Sequence, residues 1–191
     1  MAFELILQCP GATRMMREGG FAADAEPLDA GGIAKIGAFG PPATGLCCVV
    51  SPALAARQTA QLWDIAAEVD PVLRDINHGA WRGRTLAEID AADPDGLLAW
   101  MTDPVAGAPH GESMNAVRAR MADWLAQRVA QNESLWAITH PMVMRAAIAA
   151  AIGMPLEASL RIDIAPLGIV RLGWNRIWRL QAIERSPHGG R

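Results

Sequence analysis

Apolar and polar positions change their period several times along the chain. Residues 3–8, 46–50 and 135–138 are short, nearly continuous apolar runs, the last reading Leu135-Trp136-Ala137-Ile138. Runs of this length suit strands buried on both faces of a parallel sheet. After the second run, Ser51-Pro52 sets an N-cap with proline at the first helical position, and an alanine-rich helix through about Ala67 is expected. After the third, Thr139-His140-Pro141 leads into the apolar segment Met142 to Ile152, which Gly153-Met154-Pro155 stops. Asp29 can cap a helix from Ala30 to Phe39, and Thr85-Leu86-Ala87-Glu88 is a capping box before a short helix. Ser113 opens a longer one, whose Val117, Met121, Trp124, Leu125 and Val129 follow the 3.6-residue period. Two apolar runs, 169–172 and 177–180, flank Gly173-Trp174-Asn175-Arg176 as a hairpin would. Recurrent strand, turn and helix predicts an α/β fold: a three-layer sandwich with a mostly parallel central sheet, helices on both faces and a C-terminal hairpin.

Composition adds boundaries to this picture. The 191 residues are globular in make-up throughout, with no low-complexity block, so one domain over residues 1–183 and a disordered tail over 184–191 are expected. A net charge of −3 with no basic stripe argues against nucleic acid as a partner. The N-terminal apolar run is too short for a signal peptide and no 18-residue apolar span follows, which predicts a cytoplasmic protein without a membrane segment. Cys9, Cys47 and Cys48 make an odd count and are read as free thiols. His78, His110, His140 and His188 lack ligand spacing to one another or to a cysteine, so neither a metal nor a cofactor is expected.

Five short motifs carry chemistry: "LQCPGAT", "SPALAARQTA", "LRDINHGAWRGRT", "PHGESMNAV" and "ITHPMVMRA". In this order they resemble the histidine phosphatase superfamily, the phosphoglycerate mutase-like group, from Leu5 to about Ile183. In that family a histidine after the first strand attacks phosphorus, arginines and a second histidine hold the phosphoryl oxygens, and a carboxylic acid protonates the leaving group. The resemblance puts the family's first arginine on Cys9, its nucleophilic histidine on Pro10 and its acid on Asp75, with Met16 where members often carry asparagine. It puts the second arginine on Arg57 and the second histidine on His140, so these two are the expected phosphate-binding pair. Gly11, Thr13 and Glu112 are expected to line the same pocket.

Each of these residues has a plainer reading. Cys9 can be a small buried residue at a strand end, and its spacing to Arg14 and Arg17 does not match the Cys-x5-Arg loop of thiolate phosphatases. Arg14, Arg17 and Arg82 are candidates to restore the positive charge that Cys9 removes. His78 and His110, beside glycines in turns, could line a pocket mouth, though the plainer reading is surface residues without function, and Trp81, Trp100 and Trp124 are read as core.

The resemblance therefore implies a catalytically impaired histidine phosphatase-like protein, a pseudoenzyme with a residual phosphate or anion pocket whose partner is a phosphorylated small molecule or phosphate ion. One alternative is an active phosphomonoesterase, α-ribazole phosphatase-like, in which water, His140 or Cys9 attacks. Another is an interaction subunit that uses only the fold, with a protein partner or a homo-oligomer.

Overall fold

The computed structural model describes residues 2–42 and 45–185. Six strands form one sheet: β1 (Phe3–Gln8), β2 (Cys47–Val50), β3 (Ala67–Val69), β4 (Leu135–Ile138), β5 (Ile169–Asn175) and β6 (Ile177–Glu184). Their order is β3-β2-β4-β1-β5-β6. The pairs β3–β2, β2–β4 and β4–β1 are parallel, while β1–β5 and β5–β6 are antiparallel. The helices are α1 (Arg14–Arg17), α2 (Ala30–Ala38), α3 (Leu54–Leu62), α4 (Leu86–Ala92), α5 (Pro94–Thr102), α6 (Met114–Gln131), α7 (Pro141–Ile152) and α8 (Leu156–Ser159).

The period-2 alternation of the central strands divides the core into two layers. Leu5 and Leu7 of β1, with Leu135 and Ala137 of β4, pack with Val117, Met121 and Trp124 of α6 and with the inner face of α7. Ile6, Trp136 and Ile138 point to the opposite face, against Ala56 and Ala60 of α3. Helices on both faces of a mostly parallel sheet make the three-layer sandwich that the sequence predicts. Full burial of Leu5, Ile6 and Leu7 contributes roughly 2 kcal/mol or more per side chain, so β1 is an anchor of both layers.

Most helix starts are the expected ones. Asp29 accepts from Gly32 N, Thr85 and Glu88 form a reciprocal capping box, and Ser113 accepts from Ala116 N. Three elements differ. The helix after Ser51 begins at Leu54, with Ala53 as its cap, and ends at Leu62, because Asp64 takes a positive φ and the chain turns into β3. Helix α5 follows Asp93, whose carboxylate accepts from Gly96 N and starts a helix in a segment rich in turn-forming residues. The hairpin turn is tighter than expected, since Gly173, Trp174 and Asn175 belong to β5 and Arg176 alone takes the left-handed conformation. Of the tail expected over 184–191, Glu184 ends β6 and pairs with Arg171, Arg185 pairs with Asp163 at 3.2 Å, and 186–191 lie outside the described residues.

Helices α4 and α5 stand beside the sandwich as a small cap. Phe21, Trp81, Ile89 and Leu97 form its own apolar cluster, with Trp100 packed against it. This cap overhangs the C-terminal ends of β1, β2 and β4, where α/β sheets place their ligands.

Candidate functional site

At those strand ends lies a cavity of about 200 Å³. Each parallel strand feeds it through the turn that follows. From β1 come Pro10 and Thr13; the α3 start after β2 supplies Ala53 and Ala55; the α7 start after β4 supplies His140, Pro141 and Met142. Asp75 and His78 enter from the loop after β3, Trp100 from the cap, and the segment between Gly20 and Glu26 closes the near side.

His140 is the N-cap residue of α7, and Pro141 at the first helical position holds the turn. Its Nε2 shares a hydrogen bond of 2.9 Å with Ser51 Oγ, and Asp75 Oδ2 lies 3.4 Å from its Nδ1. Ser51 Oγ also accepts from Ala53 N, so its hydrogen is free to point at the imidazole. A serine, histidine and aspartate in a row form the constellation of a serine hydrolase. Here Ser51 is fully buried and forms no part of the cavity wall, so the row fixes the imidazole instead of presenting a nucleophile. Sequence reasoning treated Ser51 only as a helix cap; its place one helix start away from a histidine after a neighbouring strand was the available signal.

Cys9 is wholly buried in the α6–α7 layer. Burial, reinforced by the nearby Asp75 charge, pushes its thiol far up, well outside the range in which a thiolate forms near neutral pH. Pro10 faces the cavity with neither a nucleophilic atom nor an N–H. The turn keeps its shape through the main chain: Cys9 N donates to Gly168 O at 2.9 Å and Pro10 O accepts from Leu167 N at 3.1 Å.

Arg57 is not in this cavity. It is exposed and lines a separate groove with Val50, Gln61 and Val69. The reason is helical phase: residues two apart on a helix point about 200° from one another, and it is Ala55 that faces the cavity. Ala55 and Thr59, one turn apart, share the inward stripe, where Thr59 Oγ1 donates to Ala55 O and accepts from Gly11 N. The structure thus does not bring Arg57 and His140 together around this cavity.

Two further expected wall residues serve elsewhere. Gly11 packs where a Cβ would meet Ile36 and Leu28, which explains the glycine by close approach of α2. Glu112 faces away from the cavity and holds its Asp75-bearing loop: its carboxylate accepts from Arg120 at 3.0 Å, Arg74 at 3.3 Å and Asn77 N at 3.3 Å. Thr13 does line the cavity, as the cap of α1.

The three arginines proposed to restore charge are spoken for. Arg14 pairs with Glu18, Arg17 with Asp29, and Arg82 with Asp24 at 3.5 Å and Asn77. None of them lines the cavity, and no lysine or arginine side chain does among the described residues. His78, whose plainer reading from sequence is a surface residue, is 7% exposed and packs against Phe21 with tilted rings whose centroids are 4.3 Å apart. Burial lowers its proton affinity below the usual histidine value. Trp100 likewise belongs to the cavity wall, while Trp81 and Trp124 are core as expected and His110 is exposed. Among the described residues no His, Cys, Asp and Glu group suited to a metal ion is present, and no helix is long and apolar enough to cross a membrane.

Comparison with known proteins fits this architecture. A glucosyl-3-phosphoglycerate phosphatase of Mycobacterium tuberculosis is 42% identical over 73 residues, 38% of this chain and 32% of that protein. A second, from Mycolicibacterium vanbaalenii, is 33% identical over 99 residues, 47% of this chain and 44% of the relative. The matched segments thus span less than half the length of either relative. Among solved structures, the mycobacterial glucosyl-3-phosphoglycerate phosphatase superposes with a TM-score of 0.83 at 23% identity, covering 95% of this chain and 98% of that one. A putative α-ribazole-5′-phosphate phosphatase of Escherichia coli gives 0.83 at 22% identity over the whole of both chains. The family profile of the histidine phosphatase superfamily, branch 1, matches residues 6–183. With that span, and with four of the five motifs meeting at one cavity at the strand ends, this chain belongs to the histidine phosphatase superfamily.

Proposed function

We propose that this protein keeps the histidine phosphatase fold without phosphohistidine chemistry, and that its cavity binds a small molecule that it does not dephosphorylate. The observation that carries the reading is the pairing of Pro10 at the cavity with the absence of any guanidinium or ammonium group in its wall among the described residues. Phosphoryl transfer depends on positive charge aimed at the equatorial oxygens and on a nucleophile in line with the leaving group. Ala55 and the buried Cys9 supply neither.

An active phosphomonoesterase would be favoured by the names of the curated relatives, and it would need another nucleophile. Cys9 is buried and protonated, and both His140 ring nitrogens lie against Ser51 and Asp75. Water activated by Asp75 remains, but a metaphosphate-like transition state would then form in a wall that includes Asp24, Glu26 and Asp75 and, among the described residues, no lysine or arginine.

The test is turnover of 4-nitrophenyl phosphate, glucosyl-3-phosphoglycerate and α-ribazole 5′-phosphate by wild type and His140→Ala. Equal, background rates are expected. A wild-type rate that disappears in His140→Ala refutes the proposal. Pro10→His alone is expected to restore no turnover, because the returning imidazole would still face a cavity without a guanidinium; a rate rising by orders of magnitude, the usual cost of a missing nucleophile, would refute the electrostatic argument.

A further inference from the structure

We infer that the outer face of the α4–α5 cap is a docking surface for a protein partner, and that the partner docks through a basic amphipathic helix. This goes beyond the reading of the cavity and does not depend on it.

The first ground is where exposed apolar surface lies. Val105, Leu98 and Met101 are 70%, 60% and 56% exposed, three of the four most exposed large apolar side chains among the described residues. All three belong to α5 or to the turn just after it. Helical phase explains their direction. Leu97 and Trp100 turn inward, the first into the apolar cluster of the cap and the second into the cavity wall. Leu98 and Met101, three residues apart, share the solvent side of the same helix. Leu86, at the start of α4, is a further exposed apolar residue of the cap. Single exposed apolar residues are ordinary, but a leucine and methionine stripe rimmed by charge has the composition of an interaction surface.

The second ground is charge. From Thr85 to His110 the chain carries Glu88, Asp90, Asp93, Asp95 and Asp103 and no lysine or arginine. The whole chain has a net charge of −3, so the remainder is net positive and the negative charge is gathered on the cap. Glu88, Asp93 and Asp103 accept from the main-chain N–H groups of Thr85, Gly96 and Val105, which orients their carboxylates without neutralising them. Arg84, just before the cap, donates to the Glu88 carbonyl. Asp90 and Asp95 are exposed and have no hydrogen-bond or ion-pair partner among the described residues.

These two grounds together select the occupant. A nucleic acid or an anionic lipid surface meets like charge here, as does the cap of a second copy of this chain, whereas a segment rich in lysine or arginine meets its complement. The form of the stripe selects a helix: apolar side chains one turn apart on α5 make a ridge that a second helix can pack along. Met101 beside Leu98 gives that ridge the adaptable apolar surface on which amphipathic helices dock.

The experiment is anisotropy of a fluorescein-labelled amphipathic Leu/Lys peptide of about five helical turns, titrated with the full chain. Its controls are the Leu/Glu counterpart, a Leu/Lys peptide of the same composition in scrambled order, and vesicles of phosphatidylglycerol and phosphatidylcholine. The amphipathic Leu/Lys peptide is expected to bind saturably, one per chain, at least about tenfold more tightly than either control peptide and less tightly as salt rises. Hydrogen exchange is expected to slow within residues 86–105 when it binds. Leu98→Ser/Met101→Ser is expected to lose about tenfold in affinity, the scale of burying one such side chain. Asp90→Asn/Asp95→Asn is expected to lose about threefold at low salt, the scale of solvated ion pairs. The inference is overturned if the Leu/Lys peptide does not bind, if either control peptide binds as tightly, or if the protected amides lie outside the cap. It is equally overturned if the Leu98/Met101 variant binds as wild type does, or if the chain floats with the vesicles and that variant releases it. Should a variant unfold by circular dichroism, the wild-type peptide ranking and exchange map decide.

Discussion

Replacing Glu112 by alanine tests whether this glutamate is a brace or a ligand contact. Its side chain and that of Arg120 are 12% and 13% exposed, and the pair is 3.0 Å apart. Loss of a solvated surface pair costs about 0–1 kcal/mol, and stranding a buried charge costs about 3–5 kcal/mol. Arg120 would not be wholly stranded, because it also donates to the carbonyls of Val72, Arg74 and Asp75. Asn77 N would lose its acceptor, but it borders an open groove that water can enter. The expected cost of Glu112→Ala is therefore about 2 kcal/mol, a fall of about 1 M in the urea midpoint at a typical slope. Urea unfolding of Glu112→Ala, Arg120→Ala and the double variant closes a thermodynamic cycle, with coupling of about 1–2 kcal/mol expected. Strict additivity, or a Glu112→Ala cost below about 0.5 kcal/mol, would refute the brace and reopen a ligand role for Glu112.

Thiol labelling of the native protein should find one fast-reacting group, Cys47, and three after unfolding; Cys9 is buried and Cys48 is pushed up to about 12 by burial, so fast labelling of Cys9 would contradict the closed strand end. His78 has a lowered folded-state proton affinity, so below its usual value of 6.5 the unfolded chain binds the extra proton and stability falls with pH, levelling below the folded-state value. Above 6.5 that contribution is complete. Urea midpoints measured between about pH 7 and pH 5 should drop for wild type and less for His78→Phe; an equal drop in both would place the titration elsewhere, since the lowered carboxyls of Asp29 and Glu88 act below this window.

The sandwich was legible because its signals are local. Apolar runs marked β1, β2 and β4, and Asp29, Thr85 and Ser113 marked helix starts by a side chain reaching back three residues. Strand β3 was not, since its three residues are at most half-buried and carry no apolar run. The site was legible as a list of residue types and not as a direction. The motif around Arg57 named the right helix, but only its phase tells that Ala55 looks inward and Arg57 outward. His78 and Trp100 were missed for a different reason: their burial depends on the α4–α5 cap folding over the sheet, a contact between segments far apart in sequence. Local patterning fixes where elements begin, and long-range packing decides which side chains share a cavity.

The turn after β1 is tied down by Cys9 N and Pro10 O, main-chain groups that other residues could equally provide, and proline surrenders only an N–H that this stitching does not use. At position 10 its contour thus rests on the main chain and not on the side chain displayed, while Gly11 stays fixed by the close approach of Ile36 and Leu28. Such a socket offers protein engineers a freedom: positions 10 and 55 can be varied together as a combinatorial library on a backbone that is held from behind.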